Sequence, residues 1–480
     1  MTIPLKSPRG RWIVAATVLG SSLAMLDATV VNVALPDIAR DLGSGVTGLQ
    51  WTVSGYTLTL ASFILLGGAL GDRLGRRKVF VWGTVWFALA SVLCGLAPNI
   101  EILIAARLVQ GVGAALLTPG SLALISASIR EDDRGAAIGL WSGLGGVASA
   151  IGPLLGGWLV EIAGWRSVFL LNIPLAVAVV VVAVKHVPES RDPHAKGKLD
   201  IPGAVVVAVA LGLLTYGFID SSWLVVALGI VVVGVFVWVE LRTRTPLVPP
   251  SLFSSRVFLA ANLVTLAVYA ALGGVFFLLI LQLQLALNYS PIAAGVATLP
   301  ITALMLVLSA RAGRLAQRIG PRIPMTVGPL VSATGLLLML RIAPGSSYVE
   351  HVLPAVVVFG LGLSLLVAPL TGAVLGAVST DRAGIASGVN NAVARTSQLL
   401  AVAALPGLAG ISGVDYDDPT VFSDGFHTAM IICAGLLLVG AAIAAFMIRG
   451  VRRSEPDAID CHPHCDPSAP AMSPREQVQT

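Results

Sequence analysis

The sequence predicts an all-α polytopic membrane protein with fourteen transmembrane helices, built as two six-helix halves with two further helices inserted between them. Three observations carry that prediction: a strongly apolar composition, basic residues that fall on alternate loops, and one loop motif that occurs twice.

Of 480 residues, 56% are hydrophobic and 11% charged, where a soluble domain carries about 25% charged residues. The apolar stretches repeatedly exceed the roughly 18 residues that mark a membrane-spanning helix. The 51 glycines suit helices that approach backbone to backbone. Cys94 and Cys433 stand in apolar runs, while Cys461 and Cys465 lie near the C-terminus, so no disulfide framework is expected. The net charge of +5 is spread over short loops, which reads as membrane topology and not as nucleic-acid binding.

Taken in order, the apolar segments run approximately 12–34, 51–71, 79–97, 101–123, 136–161, 167–186, 201–219, 223–241, 258–283, 291–312, 325–342, 352–376, 383–409 and 427–450. The first follows Lys6, Arg9 and Arg11 as a signal-peptide core would. It is too long for one and contains Asp27, so it is an uncleaved first span. Residues 1–186 form the first half, and 187–257 a linker with the inserted spans between polar connections at 187–200 and 242–257. Residues 258–450 form the second half, and 451–480, rich in Pro, Ser, Asp and His, read as a disordered cytoplasmic tail.

With the N-terminus in the cytoplasm, only Arg40, Arg166 and Arg341 of the 30 basic residues fall on external segments, and Arg107 and Arg395 fall inside spans. The external loop 410–426 instead carries Asp415, Asp417, Asp418 and Asp424. A span missed or invented would scramble this alternation, so both termini are expected in the cytoplasm of a bacterial inner membrane protein. The repeat agrees. Gly68-Ala-Leu-Gly-Asp72-Arg73-Leu-Gly75-Arg76-Arg77 has a weaker copy at Gly313-Arg-Leu-Ala-Gln317-Arg318-Ile-Gly320-Pro321-Arg322, each after the second span of a six-span block. Two such blocks joined by a cytoplasmic link are the layout of a transporter whose halves rock about a central site.

The first copy of the loop pairs glycines that permit a tight turn with a basic cluster that stays in the cytoplasm. Topology alone explains Arg73, Arg76, Arg77 and Lys78, but not Asp72. Asp72 is expected to face the positive N-terminus of span 13, near Arg382, as part of a cytoplasmic gate.

With these residues in view, the chain resembles the major facilitator superfamily, in particular its fourteen-span drug:proton antiporters (EmrB/QacA-like multidrug exporters). The resemblance rests on the loop after span 2, on Leu26-Asp27-Ala28-Thr29-Val30-Val31-Asn32-Val33-Ala34-Leu35-Pro36-Asp37-Ile38 in span 1, on Arg107-Leu-Val-Gln110-Gly111-Val-Gly113-Ala-Ala115 in span 4, and on Gly152-Pro153-Leu-Leu-Gly156-Gly157 in span 5. It covers residues 10–450 and implies proton-coupled export of small hydrophobic or cationic compounds by alternating access, with the span-4 arginine in proton coupling. The partners it implies are a small-molecule substrate, protons and the lipid bilayer. Two departures stand out: Gln317 replaces the loop carboxylate in the second half, and that half has no Gly-Pro signature.

Asp27 and Arg107 each stand about seven residues from the external end of their spans, roughly 10 Å below the surface. Intramembrane charges are expensive, and a carboxylate beside an arginine is a place where a proton and a cationic substrate compete. Asn32 lies about 140° round the helix from Asp27. Arg395, with Asn390, Asn391 and Gln398, is a candidate for the central cavity, as are Tyr56, Gln110, Trp141 and Tyr269; Phe276 and Phe277 are weaker candidates. In span 5, Gly135, Gly139 and Gly143, then Gly145, Gly146, Ser149, Gly152, Gly156 and Gly157, lay a small-residue face along one helix, with a kink expected at Pro153. Cys461-His462-Pro463-His464-Cys465 has no established metal-site spacing, and no metal or other cofactor is expected. A phosphate-binding Gly-x-x-x-x-Gly-Lys-Ser/Thr loop, His-Glu-x-x-His and Gly-x-Ser-x-Gly are all absent from the sequence, which argues against an ATP-driven pump or an intramembrane enzyme. The alternatives are a transporter of one metabolite or self-made antibiotic, and a non-transporting membrane sensor.

Overall fold

A computed structural model describes residues 3–191, 199–243, 246–379, 382–411 and 418–448. Fourteen long helices account for nearly all of them: α1 (Pro8–Leu42), α2 (Val46–Leu74), α3 (Arg76–Gly95), α4 (Ile100–Ser128), α5 (Glu131–Ala163), α6 (Arg166–His186), α7 (Ile201–Ile219), α8 (Trp223–Arg242), α9 (Arg256–Leu285), α10 (Pro291–Ile319), α11 (Arg322–Met339), α12 (Tyr348–Gly376), α13 (Ala383–Leu408) and α14 (Pro419–Met447). Thirteen are long and apolar enough to cross a membrane. The exception, α13, carries Asn390, Asn391, Arg395 and Gln398, which dilute its hydropathy. Many outward side chains are exposed and apolar, Leu224 and Phe446 among them, as a lipid-facing surface requires.

Local chemistry starts the helices where the sequence offers a cap. Ser7, Asn99, Asp200, Ser255 and Ser290 each accept a hydrogen bond from a first-turn amide, and proline occupies the first turn after Ser7, Asp200 and Ser290. The last helix starts earlier than expected. It begins at Pro419, where Asp418 accepts from Thr420 N at 2.8 Å, so Asp424 is helical and not part of a loop. Asp415 and Asp417, together with the expected tail and its Cys461–Cys465 segment, lie outside the described residues.

The two six-helix halves repeat one packing scheme. In the first, α4 packs on α2 and α3, α1 on α5 and α6, and α3 on α6; in the second, α12 packs on α10 and α11, α9 on α13 and α14, and α11 on α14. The repeated glycines hold matching places: Gly68 faces Pro119 of α4, and Gly313 faces Ala368 of α12. The halves meet along two seams, α2 against α13 and α5 against α10. The inserted α7 packs beside the first seam on both α2 and α13, and α8 packs on α7.

The face where α1 begins is here the terminal face, and the opposite one the distal face. At the distal face the seams are tight. Gln50 Nε2 donates to the carbonyls of Val402 and Ala403, both at 3.0 Å, and Gln284 Nε2 donates to Val33 O at 2.9 Å. A Cβ on Gly157 would lie 2.5 Å from Ile292 Cα, and Gly295 crowds the carbonyl of Pro153 in return. Toward the terminal face, Gly135, Gly139 and Gly143 of α5 and Gly384 of α13 would have nothing within 4 Å of an added Cβ. The small-residue face of α5 is thus split: its distal part packs and its terminal part opens on free space. The molecule stands closed at the distal face and parted at the terminal one.

Candidate functional site

Asp27 and Arg107 meet inside the first half. Arg107 Nη1 donates to Asp27 Oδ2 at 2.5 Å, and both residues are about 1% exposed. Asp27 Oδ1 also accepts from Gln110 Nε2 and from Asn172 Nδ2, each at 2.9 Å. Every partner of this carboxylate is a donor, the arrangement that suits its ionised form. Arg107 is equally engaged: Nε donates to Thr52 O at 3.0 Å, Nη1 also donates to Gln110 Oε1 at 2.8 Å, and the guanidinium lies 4.3 Å from the Tyr56 ring centre. Ser91 Oγ accepts from Asn172 and Gln110 and donates to Phe169 O, closing the network.

Five helices supply this cluster. Helical spacing puts Gln110 one turn from Arg107 on α4, so one face of α4 serves both oxygens of Asp27 on α1. The α6 helix is interrupted at Leu171, and Asn172 restarts it with its amide turned inward. Asn172, Ser91, Thr52 and Cys94, whose Sγ donates to Gln110 Oε1 at 3.5 Å, were not singled out from the sequence. The available signal was faint: Asn172 is a lone amide in a run of Val, Leu, Ile and Ala.

The candidate cavity residues divide. Tyr56 and Gln110 are 2% and 0% exposed, so they are enclosed with the ion pair and do not line open space. Tyr56 packs over the Arg107 guanidinium on one side and edge-on to Phe87, with ring centres 6.4 Å apart. Asn32 shares a partly exposed face of α1 with Met25, Ala28 and Thr29, opposite the ion pair, and its Oδ1 is buried without a partner. Trp141 Nε1 donates to Ser21 Oγ at 2.9 Å, tying α5 to α1. Asn390 Nδ2 donates to Thr265 Oγ1 at 2.8 Å and to Asn262 Oδ1 at 3.2 Å, a polar stitch between α13 and α9. Asn391 is exposed and, among the described residues, donates to Ser387 O of its own helix. Arg395 is partly exposed and donates to Gln398 Oε1 at 3.2 Å. Among the described residues no carboxylate pairs with Arg395.

At the terminal face, Asp72 Oδ1 accepts from Arg76 Nε at 2.8 Å, while Arg382 donates to Ser251 Oγ at 3.4 Å. The expected contact between Asp72 and the start of α13 is therefore not made in this state. The loop is held by a residue that the sequence did not suggest. Glu189 accepts from the backbone N–H groups of Arg77 and Lys78 at 3.1 and 3.2 Å, a carboxylate on the positive end of α3. Gly75, at φ 119°, leaves room for it, since a Cβ there would lie 2.7 Å from Glu189 Oε1. The α5 signature also finds its partners: Gly152 faces Thr29 and Gly156 faces Val30 of α1, Gly157 faces α10, and the Pro153 carbonyl faces Gly295.

Residues 17–402 match the family described as the Major Facilitator Superfamily. The chain is 37% identical over 392 residues to "Multidrug resistance protein Stp" of Mycobacterium tuberculosis (strain ATCC 25618 / H37Rv), covering 78% of this chain and 72% of that protein. It is 35% identical over 464 residues to "Puromycin resistance protein pur8" of Streptomyces alboniger, covering 92% of each. It is 36% identical over 408 residues to "Methylenomycin A resistance protein" of Bacillus subtilis (strain 168), covering 83% of this chain and 87% of that protein. Among solved structures, a POT family transporter in complex with thioalcohol conjugated peptide superposes with TM-score 0.70 at 15% identity, covering 92% of this chain and 97% of that one. A D-xylose-proton symporter superposes with TM-score 0.66 at 15% identity, covering 92% and 98%. These two likenesses are of fold alone.

Proposed function

As this chain belongs to the Major Facilitator Superfamily, we propose that it is a secondary active exporter of the multidrug or antibiotic-resistance type, driven by proton antiport. The names of the relatives support export of drugs, and the span-1 and span-5 signatures favour the fourteen-span antiporter subfamily. The terminal face, where the basic loops lie, is the cytoplasmic side of the inner membrane, and both termini are cytoplasmic.

The single observation that carries the coupling mechanism is the Asp27–Arg107 pair, enclosed in one half and satisfied entirely by donors. In the proposed cycle the present state, parted at the cytoplasmic face, has released its proton and loads substrate. When the distal side opens, a proton reaches Asp27 and neutralises it. Arg107 then loses its counter-charge, and its contact with Tyr56 passes that change toward the second half. Asp72 is a gate residue of the other state: released from Arg76, it meets the N-terminus of α13 when the cytoplasmic side closes. Asn32, Trp141, Tyr269, Asn391, Arg395 and Gln398 line the substrate path. With Asp27 enclosed and no carboxylate on Arg395 among the described residues, that path suits apolar compounds carrying hydrogen-bond acceptors better than cations.

The test is substrate-dependent proton efflux from acid-loaded inverted vesicles. The wild type is expected to release protons on addition of a resistance substrate, and Asp27→Asn to lose that signal. Equal signals would remove Asp27 from the mechanism. A narrower reading, export of one antibiotic or metabolite, is favoured by the relatives named for puromycin and methylenomycin A, and a susceptibility panel separates it from multidrug export. A sensor would give no proton signal.

A further inference from the structure

The inserted helix pair holds a second acidic site, far from Asp27. Asp200 caps the start of α7, and Glu240 stands in the last turn of α8; they are 6% and 5% exposed. One oxygen of each carboxyl is accounted for. Asp200 Oδ1 accepts from Gly203 N at 2.8 Å, and Glu240 Oε2 accepts from Val248 N at 3.0 Å. The other oxygen of each, Asp200 Oδ2 and Glu240 Oε1, is buried and has no donor among the described residues. These two orphaned oxygens converge on one point: a Cβ on Gly203 would lie 2.6 Å from the first and 2.8 Å from the second.

Two buried carboxylates that converge on one point repel each other when both are ionised, and acceptors alone leave both oxygens without a donor. One proton resolves both problems. We propose that Asp200 and Glu240 form a proton-binding site, sharing a single proton that latches the inserted helix pair to the chain linking the two halves. The proton bridges the start of α7 to the end of α8, while Glu240 Oε2 holds the linker backbone at Val248. Loss of the proton to solvent leaves two carboxylates in contact, and the linker is let go. Because α7 packs on both α2 and α13, the latch bears on a seam between the halves.

Other charges on the packed elements are engaged or remote. Arg242 lies over the Trp238 ring at 4.6 Å, Asp72 pairs with Arg76, and Arg382 reaches Ser251. Arg73 on α2, Arg256 at the start of α9 and Arg395 on α13 make no ion pair with either acid, nor does any other described residue. Lys198 and Arg244 fall outside the described residues.

The sign follows from the shared proton. The latch is present at low pH, where the pair is protonated once, and is lost as pH rises through the folded-state titration. The experiment is the melting temperature of the purified full chain in detergent, scanned from about pH 5.5 to about pH 9, a range in which two close carboxyls give up a shared proton. The wild type is expected to lose several degrees across the scan relative to Glu240→Gln. In that variant a carboxamide N–H replaces the shared proton, while its oxygen still accepts from Val248. Asp200→Asn supplies the same donor from the other side and is expected to give the same flattened profile, so a folding failure of one variant leaves the other. Parallel profiles for wild type and both variants would overturn the proposal. So would stabilisation of the wild type by millimolar Mg²⁺ or Ca²⁺ at high pH that both variants lack, since the pair would then be a cation site.

Discussion

Arg107 and Arg395 stand well inside α4 and α13, one in each half, and they are treated in opposite ways. Arg107 is about 1% exposed, ion-paired, hydrogen-bonded through Nε and Nη1, and stacked on an aromatic ring. Arg395 is partly exposed, has one side-chain hydrogen bond, and has no carboxylate partner among the described residues. The halves share one packing scheme, so the backbone does not force this difference. It comes from a few polar substitutions at facing positions. One half stores a closed charge pair and the other presents an open positive charge, which is the asymmetry a coupled transporter needs if proton and substrate are handled in different places.

The largest effect should come from breaking the closed pair. In Asp27→Asn, Arg107 remains buried without its counter-charge, a loss of about 3–5 kcal/mol for a one-sided deletion of this kind. The purified variant is expected to melt well below the wild type, in addition to losing the proton signal. Asp27→Asn with Arg107→Gln should recover much of the lost stability while transport stays dead, because two amides can bond to each other but hold no charge. A double variant that is no more stable than the single one would mean that the pair does not carry the energy assigned to it.

Removing the open charge should have a smaller and different effect. Arg395→Gln costs little stability, since a solvated, unpaired charge contributes little to packing. Transport of substrates with a strong acceptor group is expected to fall roughly tenfold, the size of one charge-assisted hydrogen bond at about 1.4 kcal/mol. Purely apolar substrates should be spared. Equal losses for both classes, read from export rates in the same vesicles, would assign Arg395 to helix packing and not to ligand contact.

How much of this was legible differs by region for physical reasons. The helices, the halves and the inserted pair follow from hydropathy and loop charge, signals averaged over some twenty residues and therefore robust. The depth match of Asp27 and Arg107 was legible by counting residues from the span ends, because helical rise is constant. Gln110 was read as a cavity residue, although it lies one turn from Arg107; the structure encloses it with the pair. Asn172, Ser91 and Glu189 were not legible. Each acts through a contact with a helix distant in sequence, and a single polar residue in an apolar run carries no periodicity that says where it points. The same limit explains the glycines of α5. Spacing laid them on one face, but only the packing separates Gly157, pressed on Ile292, from Gly139, which meets nothing.

That split within one helix supplies the finest comparison. Gly157→Ala puts a methyl group 2.5 Å from Ile292 Cα in the distal seam, where neither backbone yields easily. Overpacking of this kind costs about 1–3 kcal/mol, and here it falls on the state closed at the distal face. Gly139→Ala adds a methyl group to open space in the same state, where replacing a helical glycine is worth roughly 0.5–1 kcal/mol in the stabilising direction. The melting temperature should therefore fall for the first variant and hold or rise slightly for the second. Transport should nevertheless drop in both, because the open stretch around Gly139 has to pack when the terminal face closes. If Gly139→Ala transports as well as the wild type, the terminal glycines of α5 are spacers, and only the distal ones belong to the moving interface.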